Sequence, residues 1–185
     1  MTNQILETIK TRSSIRAYQT KPLTREQLNA LTEAALASPS AMNLQLWHFI
    51  VIENKAALNE LEQDVIDYFV EVDDKTALER MKSRNNKVLY DAPCVIVISI
   101  DPQHWSQIDA GIAVQNIAIA AKSMGLDSVI LGMPSVVFKG SKAGYWVQKL
   151  GFQQGHVFGI AIAVGYAAMD KEPHEMDRGK VSFIK

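Results

Sequence analysis

The stretch Asp109–Met124 constrains this sequence most: it is apolar nearly all the way round and closes on Gly125. A helix without a polar face must be covered on several sides. In a chain of 185 residues, that places it at the domain centre or in a large subunit interface. The apolar runs Gly111–Val114 with Ile117–Ala121, and Val157–Met169, are too short or too broken to span a bilayer. The length gives one sizeable domain, 1–185, and 48% hydrophobic with 21% charged residues is ordinary globular composition. Nineteen basic residues against twenty acidic ones leave a net charge of −1. Such balance offers no general field for nucleic acid or an anionic membrane, so any anion must be held by local clusters.

Around that helix, helix and strand signals alternate without repeats. Ile5, Leu6 and Ile9 predict a short helix ending near Arg12. Thr24 with Gln27 forms the pattern of a capping box, Leu28, Leu31 and Ala35 supply the buried stripe, and Ser38-Pro39 stops that helix. Trp47–Glu53, Cys94–Ile100, Ser128–Leu131 and Val157–Val164 read as strands, and Ser141–Leu150 as a helix stopped by Gly151. Residues 54–87 carry an amphipathic pattern (Leu58, Leu61, Val65, Ile66, Phe69) and then a polar stretch, and read as a surface excursion or lid. Residues 170–185 are too polar for a core element and read as an extended tail that must dock to be ordered. The expected fold is α+β: an α-β-α sandwich with a central mixed or antiparallel sheet of four or five strands flanked by helices.

The sole cysteine, Cys94, lies inside an apolar run and reads as a small buried hydrophobe, so no disulfide forms within the chain. The first residues, Met1-Thr2-Asn3-Gln4, lack a basic region followed by an apolar core, which points to a cytoplasmic protein. His48, His104, His156 and His174 show no metal-ligand spacing, and no metal is expected. No Gly-x-Gly-x-x-Gly follows a strand, and no nucleophile elbow or Cys/His pair supports hydrolysis. Trp105 reads as a core or interface anchor.

Two segments carry chemistry. Arg12-Ser13-Ser14-Ile15-Arg16 packs two guanidinium groups and two hydroxyls into five residues. Guanidinium forks match phosphate oxygens, and hydroxyls add short hydrogen bonds. Ser38-Pro39-Ser40-Ala41-Met42-Asn43-Leu44-Gln45-Leu46-Trp47 crowds small and amide residues between a helix and a strand, where backbone groups can meet a planar polar ring. Taken alone, the first reads more simply as a helix end with a solvated loop, and the second as an ordinary connection.

Together they resemble the nitroreductase family: Arg-Ser-Ser-x-Arg-x-Tyr, a Pro-Leu-Thr helix start, then Pro-Ser-x-x-Asn-x-Gln-x-Trp-x-Phe. The resemblance continues through Tyr90-Asp91-Ala92-Pro93, Asp109-Ala110-Gly111, Gly125-Leu126-Asp127-Ser128 and Leu131-Gly132 to Arg178 and Lys180, in family order. Leu46 stands where many members have proline, and Met133 where a second glycine often follows. The resemblance implies an FMN-dependent oxidoreductase and an intertwined homodimer with flavin at the interface. Arg12, Ser13, Ser14 and Arg16 would grip the FMN phosphate, with Arg178 and Lys180 completing that site. Pro39, Ser40, Ala41 and Asn43 would face the flavin from the partner subunit. Ile130, Leu131 and Gly132 would line its ring and offer backbone donors, and Asn85 would contact the pyrimidine end. Tyr68 and Phe69 could cap the ring if the excursion folds over it. No side chain is assigned as catalytic: NADH or NADPH would deliver hydride, and a nitroaromatic, quinone or similar electron-poor acceptor would leave reduced, in a ping-pong scheme carried by the cofactor. The alternatives are a non-catalytic flavin-binding or redox-sensing protein, or a flavin-fragmenting or dehalogenating relative.

Overall fold

A computed structural model describes residues 3–184; Met1, Thr2 and Lys185, which belong to the expected opening segment and tail, lie outside the described residues. Helix α1 spans Gln4–Thr11, and the Asn3 side chain accepts from the N–H groups of Ile5 and Leu6. Helix α2 spans Arg25–Leu36. Its start is the predicted capping box: Thr24 Oγ1 accepts from the Gln27 N–H at 3.3 Å, and Gln27 Oε1 accepts from the Thr24 N–H at 3.0 Å. Leu28, Leu31 and Ala35 are its buried stripe, as expected.

Strand β1 (Trp47–Ile52) leads into helices α3 (Lys55–Glu71) and α4 (Lys75–Lys82), and strand β2 (Cys94–Ile100) is buried throughout. Helix α5 (Ser106–Ser123) and strand β3 (Asp127–Leu131) follow, then a 3-10 segment at Met133–Phe138, helix α6 (Ala143–Lys149) and strand β4 (Val157–Gly165). Gly125 and Gly151 take φ of +73° and +63° just past α5 and α6. Those are left-handed conformations that only glycine adopts without cost, so both predicted helix stops are realised.

The sheet is antiparallel throughout, in the order β1-β2-β4-β3. Among the described residues, parallel pairing occurs only as an isolated bridge between Ser14 and Ser128. Because strand side chains alternate, the sheet feeds two cores. Cys94, Ile96, Ile98 and Ile100 join α2 and α5 through Leu31, Ala110, Ala113 and Ile117 on one face. Val95 and Val97 join Leu58, Leu61, Val65 and Trp146 on the other. This is the expected α-β-α sandwich, with α5 covered by the sheet and α2.

The stretch expected as an excursion is more integrated than its charge suggests. Leu58, Leu61 and Val65 put α3 into the second core, and Phe69 packs against that core. Its polar residues are accommodated by partners distant in sequence: buried Asp64 accepts from Trp146 Nε1 at 2.9 Å and from Lys142 Nζ at 2.5 Å. Tyr68 packs edge-on against Phe69 and sits over Gly140. Trp105, expected as an anchor, is 63% exposed at the start of α5. Residues 170–184 form a largely exposed tail whose only regular element, among the described residues, is a 3-10 turn at Arg178–Lys180.

Candidate functional site

The N-terminal segment is laid across the ends of β3 and β4. The Ile15 N–H donates to Ser128 O at 3.1 Å, the Gln19 N–H to Tyr166 O at 2.9 Å, and the Ala168 N–H to Ala17 O at 2.9 Å. Ser13, Ile15 and Tyr18 point inwards and are buried, while Arg12 and Ser14 are half-buried and Arg16 is exposed. Tyr18 fixes the segment: its hydroxyl lies 3.0 Å from Ile15 O and 3.3 Å from Ala163 O. Burial pushes this phenol well above its ordinary range, so it stays protonated and donates.

Opposite this segment stands the loop that leaves α4. Asn85 and Asn86 have φ of +53° and +56°, and Tyr90 and Asp91 both have +60°. Asparagine tolerates that region; tyrosine does so only when its surroundings hold it there. The loop is pinned by Glu62 on α3, whose Oε1 accepts from the N–H groups of Val88 and Leu89 at 2.6 and 2.7 Å. Lys87 adds a hydrogen-bonded ion pair to Asp91 at 2.8 Å and lies 3.9 Å from Glu62. That contact holds the Asp91 carboxyl below the usual carboxylate range and raises Lys87.

Between the two walls opens a cavity of about 500 Å³, lined by Arg16, Ala17, Tyr18, Arg84, Asn85, Lys87, Tyr90, Asp91 and Met169. Its size falls within the usual range for small-molecule sites. Two guanidinium groups and a side-chain amide, all hydrogen-bond donors, meet there beside aromatic and thioether surface. That donor set suits an anionic, carbonyl-rich planar molecule such as FMN. Arg16 and Asn85, both expected to contact the cofactor, meet in this one cavity. Arg84, Lys87, Tyr90, Asp91 and Met169 were not singled out as site residues, although Tyr90-Asp91 was already noted as a motif.

The other expected residues lie elsewhere on the chain. Ile130, Leu131 and Gly132 end β3, with Leu131 buried and Ile130 and Gly132 exposed. Pro39, Ser40, Ala41 and Asn43 form the turn after α2, beside the far end of β2, where the Asp101 N–H donates to Leu46 O. The length of β2 separates this turn from the cavity, roughly 20 Å at strand rise. The turn is braced from beneath: both Asp109 oxygens lie 3.2 Å from the Ala41 N–H, and Asn116 Nδ2 donates to Ser38 Oγ at 2.8 Å. Met42, Asn43 and Gln45 all have positive φ, and Met42 is 73% exposed at the tip. Arg178 and Lys180 sit on the exposed tail turn, capped by Asp177, and make no ion pair among the described residues. Within one chain, the fold therefore brings Arg16 and Asn85 to one cavity, and leaves Arg12, Ser13 and Ser14 off its lining and the turn and the tail outward-facing.

The nitroreductase family model matches residues 9–166, so the chain belongs to the nitroreductase family. Among solved structures, a nitroreductase with bound FMN from Desulfitobacterium hafniense superposes with a TM-score of 0.95 at 34% identity, covering 100% of both chains. A nitroreductase with bound FMN from Bacteroides fragilis gives a TM-score of 0.92 at 30% identity, again over 100% of both. A Methanothermobacter thermautotrophicus protein, whose name places it among NADH dehydrogenases or NAD(P)H nitroreductases, is 36% identical over 135 residues. That match covers 70% of this chain and 61% of that protein, so the chain spans less than two thirds of this relative but the whole of the two solved ones. No helix among the described residues is long and apolar enough to cross a membrane.

Proposed function

We propose that this chain is an FMN-dependent NAD(P)H oxidoreductase that reduces nitroaromatics, quinones or similar electron-poor acceptors, working as a homodimer in the cytoplasm. The observation that carries the reading is the meeting of Arg16 and Asn85, named separately from the sequence, on opposite walls of one cavity. The FMN bound in the two solved relatives, and the NAD(P)H in the name of the third, support the cofactor and the donor. When bound, FMN supplies the redox chemistry, accepting a hydride from the nicotinamide and passing reducing equivalents to the acceptor.

The chain's own residues bind and orient. Arg12, Ser13, Ser14 and Arg16 hold the phosphate, with Arg178 and Lys180 completing its charge balance. Asn85 donates to the pyrimidine end, and Ile130, Leu131 and Gly132 offer apolar surface and backbone donors to the ring. Pro39, Ser40, Ala41 and Asn43 serve the partner's site. Their distance from the cavity within one chain and the outward tip of their turn support that division. The apolar face of α1, with Ile5 67% and Leu6 50% exposed, and Ile108 and Ile112 on α5, supply surface for association.

The experiment is an absorbance spectrum of the purified protein, repeated anaerobically with NADH and then NADPH, alongside its sedimentation. Flavin bands near ~450 nm that bleach with a pyridine nucleotide, in a species of twice the chain mass, are the expected result. Bands that persist would convert the enzyme into a flavin-binding protein. A protein that takes up no FMN, or a flavin-loaded monomer, would overturn the cofactor assignment or the dimer respectively.

A further inference from the structure

We propose that Glu62 is a positioning residue for the cofactor cavity, and that the group it chiefly positions is Arg84, a further cofactor-contacting cation. The inference rests on the reading of the cavity as the FMN site. Glu62 lies on α3 outside the cavity lining, and pairs with one of its residues, Lys87, at 3.9 Å. Its side chain is only 13% exposed, and it receives two consecutive backbone N–H groups at 2.6 and 2.7 Å. A carboxylate accepting from two adjacent amides fixes the path of the backbone on both sides of them. Here that backbone is the Arg84–Asp91 loop, which holds four left-handed residues (Asn85, Asn86, Tyr90 and Asp91) and would relax without an anchor.

Arg84 is the cation this loop leaves free. Lys87 is engaged by Asp91 at 2.8 Å and by Glu62 at 3.9 Å. Arg84 has no carboxylate at ion-pair distance among the described residues; its Nη1 contacts only the Tyr90 hydroxyl, at 3.4 Å. Tyr90 is itself placed by the clamped loop. Arg84 and Arg16 both line the cavity, one from this loop and one from the N-terminal segment, so that two guanidinium groups are available to an electron-rich ligand. Arginine is suited to this because it is always charged and presents several donors in one plane.

The test is the affinity of reconstituted apoprotein for FMN and for riboflavin, read by quenching of flavin fluorescence, in Glu62→Ala, Glu62→Gln, Arg84→Ala and the Glu62→Ala/Arg84→Ala double variant. Glu62→Ala is expected to weaken FMN binding roughly tenfold to a hundredfold, the range seen when partners that orient ligating groups are removed. Glu62→Gln, which keeps an acceptor oxygen and the side-chain shape, falls between it and wild type, and serves if the alanine variant does not fold. Hydrogen exchange at Val88 and Leu89 speeds up in both. The deciding result is non-additivity: the Glu62→Ala loss shrinks when Arg84 is already alanine, as coupled residues require. Additive losses, or wild-type affinity in Glu62→Ala, would overturn the proposal while leaving the cofactor assignment intact. A wild-type protein that binds neither flavin would overturn the cofactor reading instead.

Discussion

Asp64→Ala should unfold this protein at a markedly lower temperature, and Asp64→Asn should not. The Asp64 side chain is 5% exposed and makes two contacts, with the fully buried Trp146 indole at 2.9 Å and with the half-exposed Lys142 ammonium at 2.5 Å. Alanine leaves a buried indole N–H without an acceptor and removes a bond to a charged group, a loss of about 2–4 kcal/mol. For a chain of this size each kcal/mol moves the midpoint by about 2–4 °C, so the drop is roughly 4–16 °C. Asparagine keeps an oxygen facing the indole and loses only the ion pair with Lys142. Because that lysine remains half in water, the cost is about 1 kcal/mol or less. Calorimetry and urea titration of the three proteins decide the matter. If asparagine costs as much as alanine, the charge and not the acceptor holds α6 to α3, and the reasoning fails. It fails equally if both variants match wild type.

Burial pushes the Cys94 thiol up to about 12, so the native protein should not react with a thiol reagent at pH 8, and the denatured chain should give one equivalent; fast labelling of the native form would contradict the buried placement. The Lys87–Asp91 pair has a definite pH window. Asp91 is depressed when folded, so its contribution is complete above the ordinary value of 3.8 and is lost as pH falls below it. Lys87 is raised, so its part is complete below 10.5 and is lost as pH climbs past it. The stability gap between wild type and Asp91→Asn should therefore be level between these limits and close outside them; a gap that persists to pH 2 would refute the pairing.

Much of the architecture could be read from local patterns. The Thr24–Gln27 box, the glycine stops after α5 and α6 and the β-branched strands depend on neighbours a few residues away, where sequence patterns are most informative. The failures came from long-range effects. Leu58, Leu61 and Val65 form the buried stripe that their spacing predicts, but nothing local shows that Asp64 beside them is held by Trp146 and Lys142, far along the chain. The apolar pattern opens α5 at Asp109; the helix begins at Ser106, and Asp109, in its first turn, also accepts from the Ala41 N–H of the turn after α2. The site was half legible. Arg16 and Asn85 were named through family likeness, but nothing local marks Tyr90 or Met169 as their neighbours, since only the closed fold brings those segments together.

The strap formed by the N-terminal segment has a consequence for how the protein is made. Its partners, Ser128, Tyr166, Ala167 and Ala168, belong to the last third of the chain, and the Gln19 side chain reaches Ala167 across 148 residues. At a synthesis rate of about 5–20 residues per second, Arg16 emerges and then waits roughly 7–30 s for the strand ends that seat it. The wall of the cavity that carries Arg16 is thus among the last parts of the molecule to take shape. A chain arrested before β4 is finished lacks the Ala163 and Tyr166 carbonyls that seat this wall, so the cavity closes only once translation has run on past that strand.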